Sequence, residues 1–309
     1  MSVTVDKVSY GGWSDCRRIT NGNVELIVTA EVGTRIIRYG FVGSQNLLHE
    51  FKDELGKSGE SKWMPRGGHR LWVAPETETY TYALDNSPVH IQPAKDGLTA
   101  MQGVEPETGL EKQMEIRLDP EGSGVRIRHR IRNTTLFAIE YSVWSPTMFA
   151  AGGTGIVGFP PRGTHPEMLA PTHPLVMWAY TDFSDQRWTF TKKYVILRQD
   201  PRAASPQKTG IINRHTWGAY LLGRELFLKQ TTADPAKPYP DYNTSLQTFT
   251  NADFLELETM GPLTRVGPGE TAEHIEWWSL HGDVDVISWS DSELDRVILP
   301  RLGLPEGNG

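Results

Sequence analysis

Phe254 to Leu280 reads FLELETMGPLTRVGPGETAEHIEWWSL, two alternating runs on either side of a Gly/Pro break. Strand side chains alternate with period two, so Leu255, Leu257 and Thr259 fall on one face of the first run and Phe254, Glu256 and Glu258 on the other. Two carboxylates therefore share a face. Beyond Gly267-Pro268-Gly269, His274, Glu276, Trp278 and Leu280 alternate against Ile275, Trp277 and Ser279. The stretch reads as a β-hairpin that carries acids and returns through an aromatic-rich strand.

The same pattern runs outward through the chain. Val24 to Val28, Arg35 to Phe41, Tyr80 to Leu84, Val89 to Gln92, Leu98 to Gly103, Leu110 to Leu118, Gly124 to Asn133 and Phe137 to Val143 are short runs punctuated by Gly, Pro, Asn and Asp. Trp188 to Leu197, Gly218 to Leu222, Leu226 to Gln230 and Leu246 to Thr250 continue it. The clearest alternation sets Val125, Ile127, His129 and Ile131 against Arg126, Arg128, Arg130 and Arg132. It predicts a buried face and a basic one, the arginines lying on an exposed sheet surface or, in the alternative, binding an anion. Helical signal is confined to Ser290 to Arg301, where Ser290 with Glu293 makes a capping box and Leu294, Val297 and Ile298 an apolar stripe. Gly158 to Pro174 and Asp234 to Asp241 read as long ordered loops. With no internal repeat and no linker, one domain over residues 1–309 is expected. So many antiparallel strands without intervening helices imply an all-β, two-sheet sandwich.

The 309 residues, 38% of them hydrophobic, suffice for one large β domain. A formal charge of −7, from 31 basic and 38 acidic residues, argues against a nucleic-acid partner. Cys16, the single cysteine, excludes an intrachain disulfide and a cysteine-based zinc site. No run has the length of a membrane helix and Met1 to Thr20 lacks a secretory apolar core. The expectation is a cytoplasmic protein without a membrane partner, or a periplasmic or secreted one if a leader was removed. Ten tryptophans, several at strand ends or in loops, point to a ligand on which rings stack. Metal-ligand spacings and phosphate loops are absent, so neither metal nor cofactor is expected.

Glu256 and Glu258 should lie about 6–7 Å apart along their strand, at ~3.3 Å per residue. On a pocket face, mutual repulsion would raise one pKa and split them into acid and base; on an open face they would be two solvated carboxylates. Arg66, His69, Arg70 and Trp72 cluster around Gly67-Gly68, which lets backbone approach a ligand closely. A guanidinium grips hydroxyls, an imidazole shuttles protons and an indole stacks on a sugar ring. The alternative is a core Trp72, a structural His69 and an arginine paired with Glu76 or Glu78. His215 and Trp217 share a strand face, and Lys229 is expected either to face Glu258 or to sit at the surface.

Three segments carry a resemblance. Asn23 to Leu48, NVELIVTAEVGTRIIRYGFVGSQNLL, Pro65 to Pro75, PRGGHRLWVAP, and LETMGP followed by VGPGET resemble the galactose mutarotase-like superfamily, which includes aldose 1-epimerases and hexose-6-phosphate mutarotases. The resemblance implies a β-supersandwich with a sugar-sized groove on the concave face of one sheet. It makes Glu258 the general base on the anomeric hydroxyl and Arg66 the arginine of the Arg-Gly-Gly segment. Epimerases of the superfamily place a histidine after a central strand as the acid at the ring oxygen. Here that stretch is Tyr141 to Phe149, YSVWSPTMF, without a histidine. Trp144 falls nearby as a stacking platform, and His69 or Arg70 is the substitute acid. The partner is expected to be a sugar or oligosaccharide, with an acidic sugar among the choices and the oligomeric state open. A non-catalytic carbohydrate-binding module is the alternative. A polysaccharide lyase or glycoside hydrolase is weaker, because carboxylates on one strand do not flank a glycosidic bond from opposite sides.

Overall fold

Alternating apolar and polar residues pair into ladders that bury one face, and here the buried faces of two large antiparallel sheets meet. The computed structural model describes residues 2–303. In the 12-stranded sheet the path runs Thr4–Tyr10, Trp13–Thr20, Val24–Thr29, Arg35–Phe41, His69–Arg70, Ile139–Phe149, Leu255–Met260, Leu246–Thr250, Gln207–Ile211, Val176–Met177. Trp72–Ala74 and Thr264–Val266 also pair with Ile139–Phe149. The 10-stranded sheet runs Trp188–Phe190, Tyr194–Arg198, Thr154–Gly158, His215–Leu222, Glu225–Thr232, Thr271–His281, Val125–Asn133, Leu110–Leu118, Gly97–Met101, His90–Ala94. Leu26, Val28, Ile36, Leu255 and Leu257 of the first sheet pack on Val125, Ile127, Ile131, Phe227 and Trp278 of the second. Among the described residues no helix is long and apolar enough to cross a membrane.

The hairpin expected at Phe254 to Leu280 does not form. Leu255–Met260 pairs with Ile139–Phe149 and Leu246–Thr250, whereas Thr271–His281 pairs with Val125–Asn133 and Glu225–Thr232 in the opposite sheet. The Gly/Pro segment crosses between sheets. Both runs present a good apolar face to the same core, and a connection of this length leaves each free to take other partners. Two further strand expectations change. Tyr80–Leu84 is replaced by a helical turn, Glu78–Thr81, whose first turn is capped by the Thr77 hydroxyl accepting from the Tyr80 amide at 3.3 Å. Trp188–Leu197 divides into two short strands paired around Thr191 to Lys193.

The helix Asp291–Ile298 starts at Ser290, whose side chain accepts from the Glu293 amide. Its buried Leu294, Val297 and Ile298 cover Ile156, Ile196, Ala219 and Leu228 on the outer face of the second sheet.

Candidate functional site

The carboxylates of Leu255–Met260 point away from the core, into a pocket of about 310 Å³ on the outer side of the first sheet. Alternation does this: Leu255 and Leu257 take the core, and Glu256 and Glu258 take the other face. Glu258 is 1% exposed and its Oε2 accepts from Trp144 Nε1 and from Lys208 Nζ, each at 3.0 Å. Its Oε1 has no hydrogen-bond partner among the described residues. Glu256 Oε1 accepts from the Arg70 guanidinium at 2.9 Å. Burial pushes the Glu256 carboxyl up to about 7, Arg70 pulling the other way and Glu258 adding to the rise.

Arg70 lies over the Trp72 ring at 4.1 Å and the Trp63 ring at 5.5 Å, so two indoles and a carboxylate fix its plane. Trp72 and Trp144 are cross-strand partners with ring centroids 5.0 Å apart. Tyr82, Tyr180, Phe249 and Phe254 complete an aromatic wall, with Glu76 and Asp253 as further acids. Among the described residues no histidine lines this pocket.

Of the residues expected to gather, Glu256, Glu258, Arg70, Trp72 and Trp144 come together. Five do not. His69 adjoins Arg70 on a strand and so points the opposite way, into the space between the sheets. There its Nε2 meets His129 Nε2 at 2.7 Å and its Nδ1 meets the Thr147 hydroxyl at 2.9 Å. Lys229, fully buried, faces Glu276 at 2.9 Å rather than Glu258, and donates to the Ser145 and Leu257 carbonyls at 2.6 and 3.2 Å. Arg66 is buried in a loop, bonded to Asn86 at 2.8 Å and paired with Glu60. His215 and Trp217 lie on the second sheet and line other cavities. Gly67 and Gly68 serve the fold rather than a ligand: at φ 93° and 74°, a Cβ on them would stand 2.0 Å from the His49 carbonyl oxygen and 2.3 Å from that of Ile36.

Between the sheets, His69, His129 and Glu276 hold donor atoms within 4.8 Å of one another, a possible metal set. The Lys229 ammonium already lies on Glu276, and Trp278 Nε1 donates to the same carboxylate at 2.9 Å. The cluster satisfies its own charge. Burial, helped by Lys229, drives His69 well below its ordinary range and His129 down to about 3. Burial also puts His274 at about 3 and lowers Lys229, with Glu276 opposing both shifts.

Sequence reasoning missed Lys208, Trp63, Tyr82 and Tyr180. Lys208 alternates within Gln207–Ile211, a strand whose small and polar residues give little apolar signal. The aromatics come from loops and the short helical turn, where no periodicity marks a face.

No family model and no curated protein matches the sequence. Solved structures do match in fold. A candidate aldose 1-epimerase from Klebsiella pneumoniae subsp. pneumoniae superposes with TM-score 0.61 at 13% identity, over 96% of this chain and 86% of that one. A galactose mutarotase-like protein from Lactobacillus casei gives 0.59 at 9% identity, over 86% of this chain and 100% of that one. Another, from Clostridium acetobutylicum, gives 0.53 at 10%, over 91% and 99%. The chain therefore has the galactose mutarotase-like fold, and at these identities the likeness speaks for the fold alone.

Proposed function

We propose that this protein binds a single sugar ring in the Glu258 pocket and interconverts its anomers. The observation that carries the reading is Glu258 itself: one carboxylate oxygen is fixed by Trp144 and Lys208 while the other has no partner among the described residues. A carboxylate held in that way is suited to take one proton in a defined direction. The pocket's volume of about 310 Å³ is at the small end for ligand sites, which favours one ring over a chain.

Glu258 removes the proton from the anomeric hydroxyl as the bond from the anomeric carbon to the ring oxygen breaks. The ring oxygen keeps that electron pair and takes a proton from Glu256, which stands in for the histidine of the epimerases. An open-chain aldehyde results. Rotation about the adjacent carbon–carbon bond presents its other face, and closure returns the ring proton to Glu256 and moves the Glu258 proton to the new anomeric oxygen. Glu256 suits the acid role because its carboxyl, at about 7, is partly protonated at neutral pH. Arg70 and Lys208 each sit on a carboxylate, and Glu76 and Asp253 line the same space. That balance favours a neutral sugar over an acidic one.

A second reading, a non-catalytic sugar-binding protein, draws on the lack of a pocket histidine. Anomer exchange of neutral, phosphorylated and acidic aldoses, followed by NMR for the wild type and Glu258→Gln, separates the two. Acceleration of a neutral aldose that vanishes in the variant is the expected result. Binding without acceleration gives the site to the second reading, and neither binding nor acceleration removes both.

A further inference from the structure

The four outward arginines of Val125–Asn133 do not share one fate. Arg128 and Arg130 reach Glu273 at 2.6 and 2.9 Å, and Arg132 lies 3.7 Å from Glu111. Arg126, among the described residues, has no carboxylate partner. Its strand neighbour is Trp277, which alternates outward from the buried Trp278 and is 41% exposed. On Trp277's other side the paired residue is Gln230. An exposed indole thus stands between a guanidinium and a carboxamide on the outer face of the second sheet.

These three side chains line a cavity of about 690 Å³, more than twice the volume of the Glu258 pocket, with His215 and Arg301 also in its lining. Its charge is the reverse of that pocket's. Arg126 and Arg301 outnumber Asp119, the one carboxylate lining it among the described residues, in a chain whose net charge is −7. Arg301 uses one nitrogen on the Val297 carbonyl at 2.6 Å, and among the described residues the rest of its fork has no hydrogen-bond partner.

We propose that the cavity in front of Trp277 is a second saccharide site, separate from the Glu258 pocket, that takes an anionic oligosaccharide. The indole supplies a flat apolar surface for the face of one ring, Gln230 donates to and accepts from hydroxyls, and Arg126 with Arg301 pairs with carboxylates of the uronate type. The volume suits more than one ring. A cleft lined mainly by one sign of charge also draws such a ligand from solution, in a salt-dependent way.

The test is an NMR titration of the full chain with trigalacturonate, maltotriose and sodium sulfate at constant ionic strength. The Trp277 indole N–H signal is assigned by its loss in Trp277→Phe. We expect a saturable shift of that signal with trigalacturonate, at least tenfold weaker binding of maltotriose, and at least a tenfold loss of trigalacturonate affinity in Arg126→Ala. Calorimetry should give the same loss in Trp277→Ala, while Glu258→Gln leaves the affinity unchanged. Both side chains lie on the sheet surface, so the variants should fold, which circular dichroism checks. Four results overturn the proposal. There is no saturable shift; or sulfate alone reproduces it, leaving an adventitious ion only. Binding that disappears in Glu258→Gln belongs to the first pocket. Binding seen only after residues 304–309 are removed assigns the cavity to the chain's own C-terminal residues.

Discussion

The outer face of the first sheet and the space between the two sheets hold the same kinds of residue and do different things with them. On the outer face Arg70, Lys208, Glu256 and Glu258 pair at the floor of a pocket that opens to solvent. Between the sheets, His69 of the first and Lys229, Glu276, His129 and His274 of the second pair where none is more than 6% exposed. The first set keeps an unpartnered carboxylate oxygen, and the second ties Lys229 to the backbone on either side of the site. Ser145 and Leu257, whose carbonyls it holds, adjoin Trp144 and Glu258. The contrast teaches that the same ionic groups can line a pocket on one side of a sheet and be sealed with their partners on the other.

The largest effect expected is on the outer face. Glu258→Gln is isosteric and keeps an acceptor for Lys208 and Trp144, so anomer exchange should fall by about 10²–10⁴. Between the sheets the effect falls on stability. Lys229→Ala leaves Glu276 buried without its cation and should cost about 3–5 kcal/mol in urea unfolding; the double variant Lys229→Met/Glu276→Gln should recover much of it. Equal losses from the single and double variants would show that the pair itself is not the source.

Acid should separate the two regions too. Folded His129 and His274 sit at about 3 and His69 well below its ordinary value, whereas unfolded imidazoles titrate near 6.5. Between those values the unfolded chain binds protons that the folded one refuses. Stability is therefore present above about pH 6.5 and is lost as pH falls, by about 1.4 kcal/mol per unit for each histidine. Glu256, raised to about 7, works the other way: the folded protein keeps its proton from roughly pH 4.5 to 7 and gains stability as pH falls through that window. One group opposes three, so unfolding at pH 5.5 should need less urea than at pH 7.5, and His129→Gln should flatten the slope. If Glu256 is the acid, the exchange rate should drop about tenfold per unit above pH 7, and Glu256→Gln should abolish that limb. Smallest is Trp144→Phe, which removes one donor to Glu258 and should slow exchange roughly tenfold without changing its pH profile.

How legible the site was in the sequence differs residue by residue. Period-two alternation put Glu256 and Glu258 on one face but did not say which face meets the core, and the clustering of His69 with Arg70 around Gly67-Gly68 gave way to adjacent strand residues pointing to opposite sides. In a sandwich whose outer face is also covered, both faces bury residues, so burial gives alternation no tie-breaker. Lys208 and the aromatic wall were out of reach because contacts such as Arg70 to Glu256, 186 residues apart, exist only once the sheet order is set.

The sequence by itself determined the all-β class, the alternation of each long strand and the Ser290-capped terminal helix, because backbone pleat and helix capping are decided by neighbours a few residues away. Only the tertiary structure decided that the two halves of Phe254 to Leu280 belong to opposite sheets, that His69 and Lys229 are sealed between them, and that Arg126 is left facing Trp277. Those outcomes depend on which strands pair across the chain, and many strands with similar apolar faces compete for the same neighbours until the core selects one order.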